Sequence, residues 1–497
     1  MLHEQRPMRP RELVQLGLTR RLFSDRRAGK TPWQTMKSKL SVHVRRKGKN
    51  STFVRTGPNQ FFLRRLVPGD VYEAPPQQKP ESTEQVLVFP SALLRTRDRF
   101  QGISRNFHRL QARILKPDVS FHIDRLRAES DNDHKQVLTY VMITRRGRVL
   151  AFKRGSYNRV EDFLRGAHCI GFGGHVSKTD VDLFSLSDMG VVRSASRELF
   201  EELRLPAKDI ERLKVGKGLK LVGLLNDDSS LVGQRHLAFL FTYEVSNDRA
   251  WAKPERGEKS ITQLRWLSPN SGTVPIWDFE YWSQLCLREY FPQIAHAVPQ
   301  HRIVRRVPLR PPHLLCVLGE VGSGKSEATR LITREFDYEE INSGRIVAEI
   351  LGIPPVGEYG RDRFQQKAGE FIKRADGPQR LADAIWTRVQ KVSSGKVLID
   401  GIRQRTTLNC LQQLAGNLQI GVLYVHTLPD LAYKFYRARE QPRLSIFEFL
   451  ERRNAEVERD VAGMISVADA VLYNWIGRAE YQQAICDLME TVMKEQV

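Results

Sequence analysis

Apolar and polar positions change period three times along the chain, and each change predicts a different architecture. In residues 11–23, RELVQLGLTRRLF, Leu13, Leu16 and Leu22 recur at helical spacing, with Val14, Leu18 and Phe23 alongside. Thr31-Pro32 then reads as a helix start, a capping hydroxyl followed by proline at the first helical position. The helix it opens, WQTMKSKLSVHVRRKG, carries Met36, Leu40 and Val44 as its apolar set. Two short β-like runs, 51–55 and 60–64, flank the turn TGPN. Two helices and a hairpin predict a winged helix over 1–66. From 86 onward β-like runs dominate: VLVFP, QVLTYVMITRR, GRVLAFKRG, KLVGLLND, HLAFLFTYEV and ITQLRWL, with one amphipathic helix, SDMGVVRSASRELFEELRLP, among them. This predicts an α+β domain over 86–300 whose last part, 271–300, is an aromatic-rich helical cap. Over 313–497 buried-type strands (LLCVLG, VLID, IGVLYVH) alternate with helices, the signature of a doubly wound parallel sheet. Residues 67–85 and 301–312 show no period and are expected to be linkers. The expected fold is therefore a multidomain α/β chain.

Composition adds limits. A chain of 497 residues suggests about three domains. Apolar content of 41% with 27% charged residues describes ordinary globular material, and no apolar run is long enough for a membrane span. The first residues, MLHEQRPMRPREL, lack the apolar core of a signal peptide. Cys169, Cys286, Cys316, Cys410 and Cys486 are scattered without pairing motifs, which predicts reduced thiols and a cytoplasmic protein. The net charge of +22 is uneven: residues 1–66 hold 17 Lys/Arg against three acids. A segment this basic that can also fold points to phosphate polyanions. Lys30, Lys37, Lys39, Arg45, Arg46 and Lys47 are the expected contacts to duplex DNA.

Chemistry concentrates in two motifs. Residues 314–326, LLCVLGEVGSGKS, place GxxxxGK[ST] between a strand and a helix. Gly319, Gly322 and Gly324 let the backbone curl around a polyphosphate, Lys325 reaches its outer phosphates, and Ser326 can hold Mg²⁺. ATP and Mg²⁺ are the expected ligands. Asp400, ending the strand VLID, is placed to orient the ion's shell. Arginines gather downstream (Arg437, Arg439, Arg443, Arg452, Arg453, Arg459), and Arg439 and Arg443 are expected to neutralise charge during phosphoryl transfer. In the second motif, Glu198, Glu201 and Glu202 fall at i, i+3 and i+4, so three carboxylates share one helix face and call for a cation between them.

Three resemblances sharpen these expectations. KTPxxTMxxxL with RRKG and FVRxGPNQFFL, over about 9–66, resembles the HARE-HTH winged helix, which implies DNA binding. Arg197-Glu198-Leu-Phe-Glu201-Glu202-Leu-Arg204-Leu205, with GFGGH (171–175) upstream and LLNDD (224–228) beyond, resembles the Nudix box. The resemblance implies Mg²⁺ held by Glu198, Glu201 and Glu202, Arg197 fixing a carboxylate, and hydrolysis of a diphosphate bond. Two positions depart from the box. Arg204 stands where a glycine would form a left-handed cap, a conformation costing a non-glycine about 1–2 kcal/mol. Gly174 also lies 23 residues before Arg197, nine more than the box expects, so the box's upstream acid has no clear counterpart and Asp180 stands in for it. Finally GEVGSGKS, RDRFQQKAGEFIKRADG, VLIDGIR, FLERRNAEVERD and ADAVLYNWIG resemble the nucleoside monophosphate kinase and dephospho-CoA kinase group. This implies Arg345, Arg361, Arg363, Arg374 and Arg403 on the acceptor and Asn474 near the adenine. The combined expectation is a small-nucleotide kinase with a Nudix hydrolase on a DNA-binding module. The alternative is a nucleotide-sensing transcription regulator in which both nucleotide domains are receivers.

Overall fold

The computed structural model describes residues 4–20, 22, 32–57, 60–67, 84–94, 100–155, 166–182, 187–230, 232–246, 249–258, 260–271, 276–297, 299–305, 313–354, 360–439 and 444–494. It divides into two compact units, Met1–Ser82 and Thr83–Val497. The first holds helices Pro10–Thr19 and Pro32–Lys47 and an antiparallel hairpin, Phe53–Gly57 with Gln60–Leu63. Its core is Met8, Val14, Leu40, Val54, Phe61 and Phe62. The first helix ends at Thr19, short of the expected 23, and Leu22 is 76% exposed.

The second unit contains two sheets. One is mixed, with the long strand His134–Arg145 at its centre, parallel to His236–Glu244 and antiparallel to Arg148–Arg154. Helix Val191–Glu202 lies against it through Ala195 and Leu199, which are fully buried. The other sheet has six strands in the order His301–Ile303, Ala470–Tyr473, Ile420–His426, His313–Gly319, Lys396–Asp400, Glu339–Asn342. Five are parallel, and the runs LLCVL, VLI and GVLYV are buried on both faces, as helices on each side require.

Two expectations change. Residues 301–303 are not linker: they pair antiparallel with Ala470–Tyr473 as the sheet's edge. The two nucleotide-type regions also do not stand apart. One hydrophobic cluster runs from Met142 and Leu240 through Ile276 and Leu285 to Leu314 and Tyr424. The cap segment makes this joint. Trp277 stacks on Tyr473 at 4.5 Å, and in helix Tyr281–Tyr290, Arg288 pairs with Asp430 while Tyr281 Oη donates to the same carboxylate at 3.3 Å. Among the described residues no helix is long and apolar enough to cross a membrane, and the five cysteines are free.

Candidate active sites

The glycine loop bridges strand His313–Gly319 and helix Lys325–Phe336. Gly322 (φ 79°) and Gly324 (φ 95°) take left-handed backbone, and neither has room for a Cβ. One on Gly322 would lie 2.6 Å from the Ala432 carbonyl oxygen, and one on Gly324 2.5 Å from Asn474 Nδ2. The loop is tied from beneath. Thr427 Oγ1 and Asn474 Nδ2 donate to the Ser323 carbonyl at 2.7 and 3.0 Å, and Tyr481 Oη donates to the Gly324 carbonyl at 3.2 Å. Asn474 is therefore a buried strut under the loop, where the sequence suggested an adenine contact.

Every cation the structure brings to this site already faces an acid. Lys325 Nζ bonds Asp400, whose other oxygen accepts from Asn342 Nδ2 at 3.3 Å. Burial holds the Lys325 ammonium below its ordinary pKa, and Asp400 only partly offsets this. Arg403 donates to Glu458 at 2.6 Å and to the Gly319 carbonyl at 3.3 Å. Arg453 grips Glu320, inside the glycine loop, with Nε–Oε1 at 2.9 Å and Nη2–Oε2 at 2.5 Å. Beside these pairs opens a cavity of about 380 Å³. Lys325, Asp400, Arg345 and Arg403 line it with Gln404 and an apolar wall that includes Phe364, Ile372 and Leu381.

Of the expected residues, then, Lys325, Asp400, Arg345 and Arg403 converge. Arg363 and Arg374 are exposed and are not in the cavity wall. Arg439 is exposed at the end of helix Pro429–Arg439, also outside that wall, and Ser326 is exposed on the second residue of its helix. The side chain of Arg361, and Arg443 altogether, lie outside the described residues. The arginine at the loop is Arg453, which sequence grouped with its neighbours without singling it out.

In the second site, helix Val191–Glu202 aims its carboxylates at the Gly173-Gly174 turn. Arg197 makes a two-pronged bond to Asp180 (Nε–Oδ1 2.8 Å, Nη2–Oδ2 3.1 Å) and reaches Glu198 at 2.9 Å, Glu201 at 3.3 Å and the His175 carbonyl at 3.1 Å. Asp180 is almost fully buried and also accepts from the Ser177 N–H at 2.8 Å, so it anchors Arg197 to the turn. Glu202 accepts from the Gly173 N–H at 3.1 Å. Burial, followed by the charge of Glu198, pushes the Glu202 carboxyl up to about 8; burial also raises Glu198. Gly174 is small because Glu198 needs the space: a Cβ there would sit 2.4 Å from Glu198 Oε1.

The three-carboxylate expectation is corrected. Glu201 is 49% exposed and faces Arg197, and among the described residues no three His, Cys, Asp or Glu are grouped to hold a metal ion. What remains is a carboxylate pair, Glu198 and Glu202, each destabilised in its ionised form by burial. That donor set fits one Mg²⁺, which would restore both charges. The expected strain at Arg204 is absent as well. The chain leaves the helix at Leu203 (φ −132°, ψ 150°), and Arg204 is extended, paired with Glu255. Asn226 and Asp228 of the LLNDD run are buried elsewhere, Asp228 against Lys135 at 2.9 Å. In the basic N-terminal unit, Lys37, Lys39 and Lys47 are exposed on their helix, while Lys30 and the side chains of Arg45 and Arg46 lie outside the described residues.

No family model matches the chain. Solved structures similar to it include Tm1382, a candidate Nudix hydrolase (22% identity, 42% of this chain and 99% of that one, TM-score 0.33). Another is shikimate kinase from Acinetobacter baumannii in complex with shikimate (14% identity, 38% and 97%, TM-score 0.26). At such scores each site stands on its own residues. Among curated proteins, the UPF0200 protein of Thermococcus onnurineus is 23% identical over 193 residues, 37% of this chain and 99% of its own length. The UPF0200 protein of Methanopyrus kandleri is 30% identical over 166 residues, 32% of this chain and 80% of its own. Over the third of its length that they match, the chain belongs to the UPF0200 family.

Proposed function

We propose that the C-terminal region transfers the γ-phosphate of ATP to a small nucleotide and that the central region hydrolyses a nucleoside diphosphate compound with Mg²⁺. The observation that carries the kinase half is the convergence of Lys325, Asp400, Arg345 and Arg403 on one cavity beside the glycine loop. Donor phosphates lie along the loop, and Lys325 exchanges its bond to Asp400 for one to phosphate. Arg345 and Arg403 hold the anionic group of the acceptor, and Phe364, Ile372 and Leu381 shield the reacting groups from water. In the central region Arg197, fixed by Asp180, orients Glu198, while the Gly173 N–H orients Glu202. Bound Mg²⁺ would supply charge neutralisation and an activated water at both sites. The N-terminal unit, with its exposed lysines, is the DNA-binding part of this reading.

The test is a panel of nucleoside monophosphates with ATP and Mg²⁺, scored for diphosphate product. Turnover should fall roughly 10²–10³-fold in Lys325→Ala, the range for removing one group that stabilises developing charge. Equal turnover in that variant would remove the kinase assignment.

A further inference from the structure

A second cavity, of about 520 Å³, opens where the two regions of the large unit meet, and neither active site uses it. One wall is Phe100 and Gln101 from the central region; the other is Tyr433, Lys434 and Arg437 on helix Pro429–Arg439, with Ile446 beyond. We propose that this crevice binds a mononucleotide, a third phosphate site in addition to the two above.

Three observations lead to that ligand class. The volume exceeds that of the cavity beside the glycine loop and lies in the range of small-molecule sites. The charge the walls offer is positive. Their one acid, Asp430, is already held by Arg288 and by Tyr281 Oη, which leaves Lys434 and Arg437 to face an incoming group. The walls also present flat surfaces: Arg437 lies 5.4 Å over the Tyr433 ring, and Phe100 stands opposite. Cations beside aromatic faces suit a ligand that joins phosphate to a planar base. A purely apolar ligand would gain nothing from Lys434 and Arg437, and a free phosphate would leave most of the space and both rings unused.

The walls also belong to elements that hold the other sites. Gln101 donates to Asp227 at 3.1 Å and accepts from the Asp228 N–H at 2.9 Å, and Asp228 pairs with buried Lys135. On the other side, Ala432 of the same helix packs against Gly322 of the glycine loop. A nucleotide in the crevice would therefore touch supports of both regions at once.

The experiment is photolabelling of the full chain with 8-azido-ATP, followed by peptide mapping. Label is expected on the peptides carrying Phe100 or Tyr433 as well as near the glycine loop. In Lys434→Glu/Arg437→Glu the crevice label should drop at least tenfold while the loop label persists, and in Lys325→Ala the reverse should hold. The milder Lys434→Ala/Arg437→Ala pair, with melting curves, separates lost binding from lost fold, since both side chains are exposed. The proposal is overturned if the crevice peptides carry no label in the wild type, or if their label survives charge reversal. Loss of loop label alone bears on the kinase reading, so the two ideas fail separately.

Discussion

Replacing Glu202 with Gln should stabilise the protein without metal and abolish its stabilisation by Mg²⁺. The Glu202 carboxyl has an ordinary pKa of 4.5 unfolded and about 8 folded, raised by burial and by Glu198, and lowered in part by Arg154 and the Gly173 N–H, with Glu258 adding to the rise. Between those values the folded state binds more protons than the unfolded one, so stability falls as pH rises. At about 1.4 kcal/mol per pKa unit, the cost of this one group grows from about 1 kcal/mol at pH 5 to about 3 at pH 7 and about 4 at pH 8. Glu202 is only half-buried, so water reduces these figures, and a stabilisation of about 1–3 kcal/mol at pH 8 is the working expectation. Gln keeps the shape and can still accept from the Gly173 N–H. The assay is thermal or urea unfolding of both proteins at pH 5 and pH 8, with and without Mg²⁺. Wild type should gain about 3 kcal/mol at Mg²⁺ a hundredfold above its Kd, and the variant close to none. The reasoning fails if Glu202→Gln melts no higher than wild type at pH 8, or if its advantage is as large at pH 5.

Other outcomes follow from the same contacts. Asp180→Ala strands Arg197, which should cost about 3–5 kcal/mol by urea titration, because breaking a buried pair leaves an uncompensated charge; a loss under 1 kcal/mol would mean Asp180 does not anchor the helix. Arg453→Ala leaves Glu320 unpaired inside the glycine loop, so the KM for ATP should rise roughly tenfold or more, while Glu320→Gln/Arg453→Ala recovers part of it. Steady-state kinetics on both variants decides this, and an unchanged KM in the single variant rules out a role for the pair. Binding of the full chain to duplex DNA should weaken with salt, and Lys37→Glu/Lys39→Glu should weaken it further; fluorescence anisotropy that shows no change would remove the DNA assignment.

The glycine loop was legible because its meaning lies in consecutive residues: strand, GEVGSGKS and helix are fixed by the covalent chain. The same holds for Glu198 and Glu202, whose four-residue spacing puts them on one helix face in any context. Arg204 was misjudged because its conformation is decided by pairing with Glu255, some fifty residues on, which no local pattern records. Likewise HRI at 301–303 is too short and too basic to look like a strand, and becomes one only because the edge at Ala470–Tyr473 accepts it. Which arginine reaches the glycine loop depends on how its helix is aimed, so Arg453 could not be told from Arg439 by sequence. Nor did any segment announce that Trp277 and Tyr473 would bind two regions into one core.

The cations of the kinase-like site have a consequence beyond their geometry. Lys325, Arg403 and Arg453 are each matched to Asp400, Glu458 and Glu320, so the ligand-free site is nearly charge-neutral in a chain whose net charge is +22. A triphosphate must displace carboxylates rather than settle into a ready-made positive field. Stray chloride or inorganic phosphate cannot displace three acids at once and is turned away, whereas a ligand that replaces them together is admitted. The acids thus act as internal competitors, trading affinity for discrimination, and they should make nucleotide binding less dependent on ionic strength than three cations would suggest.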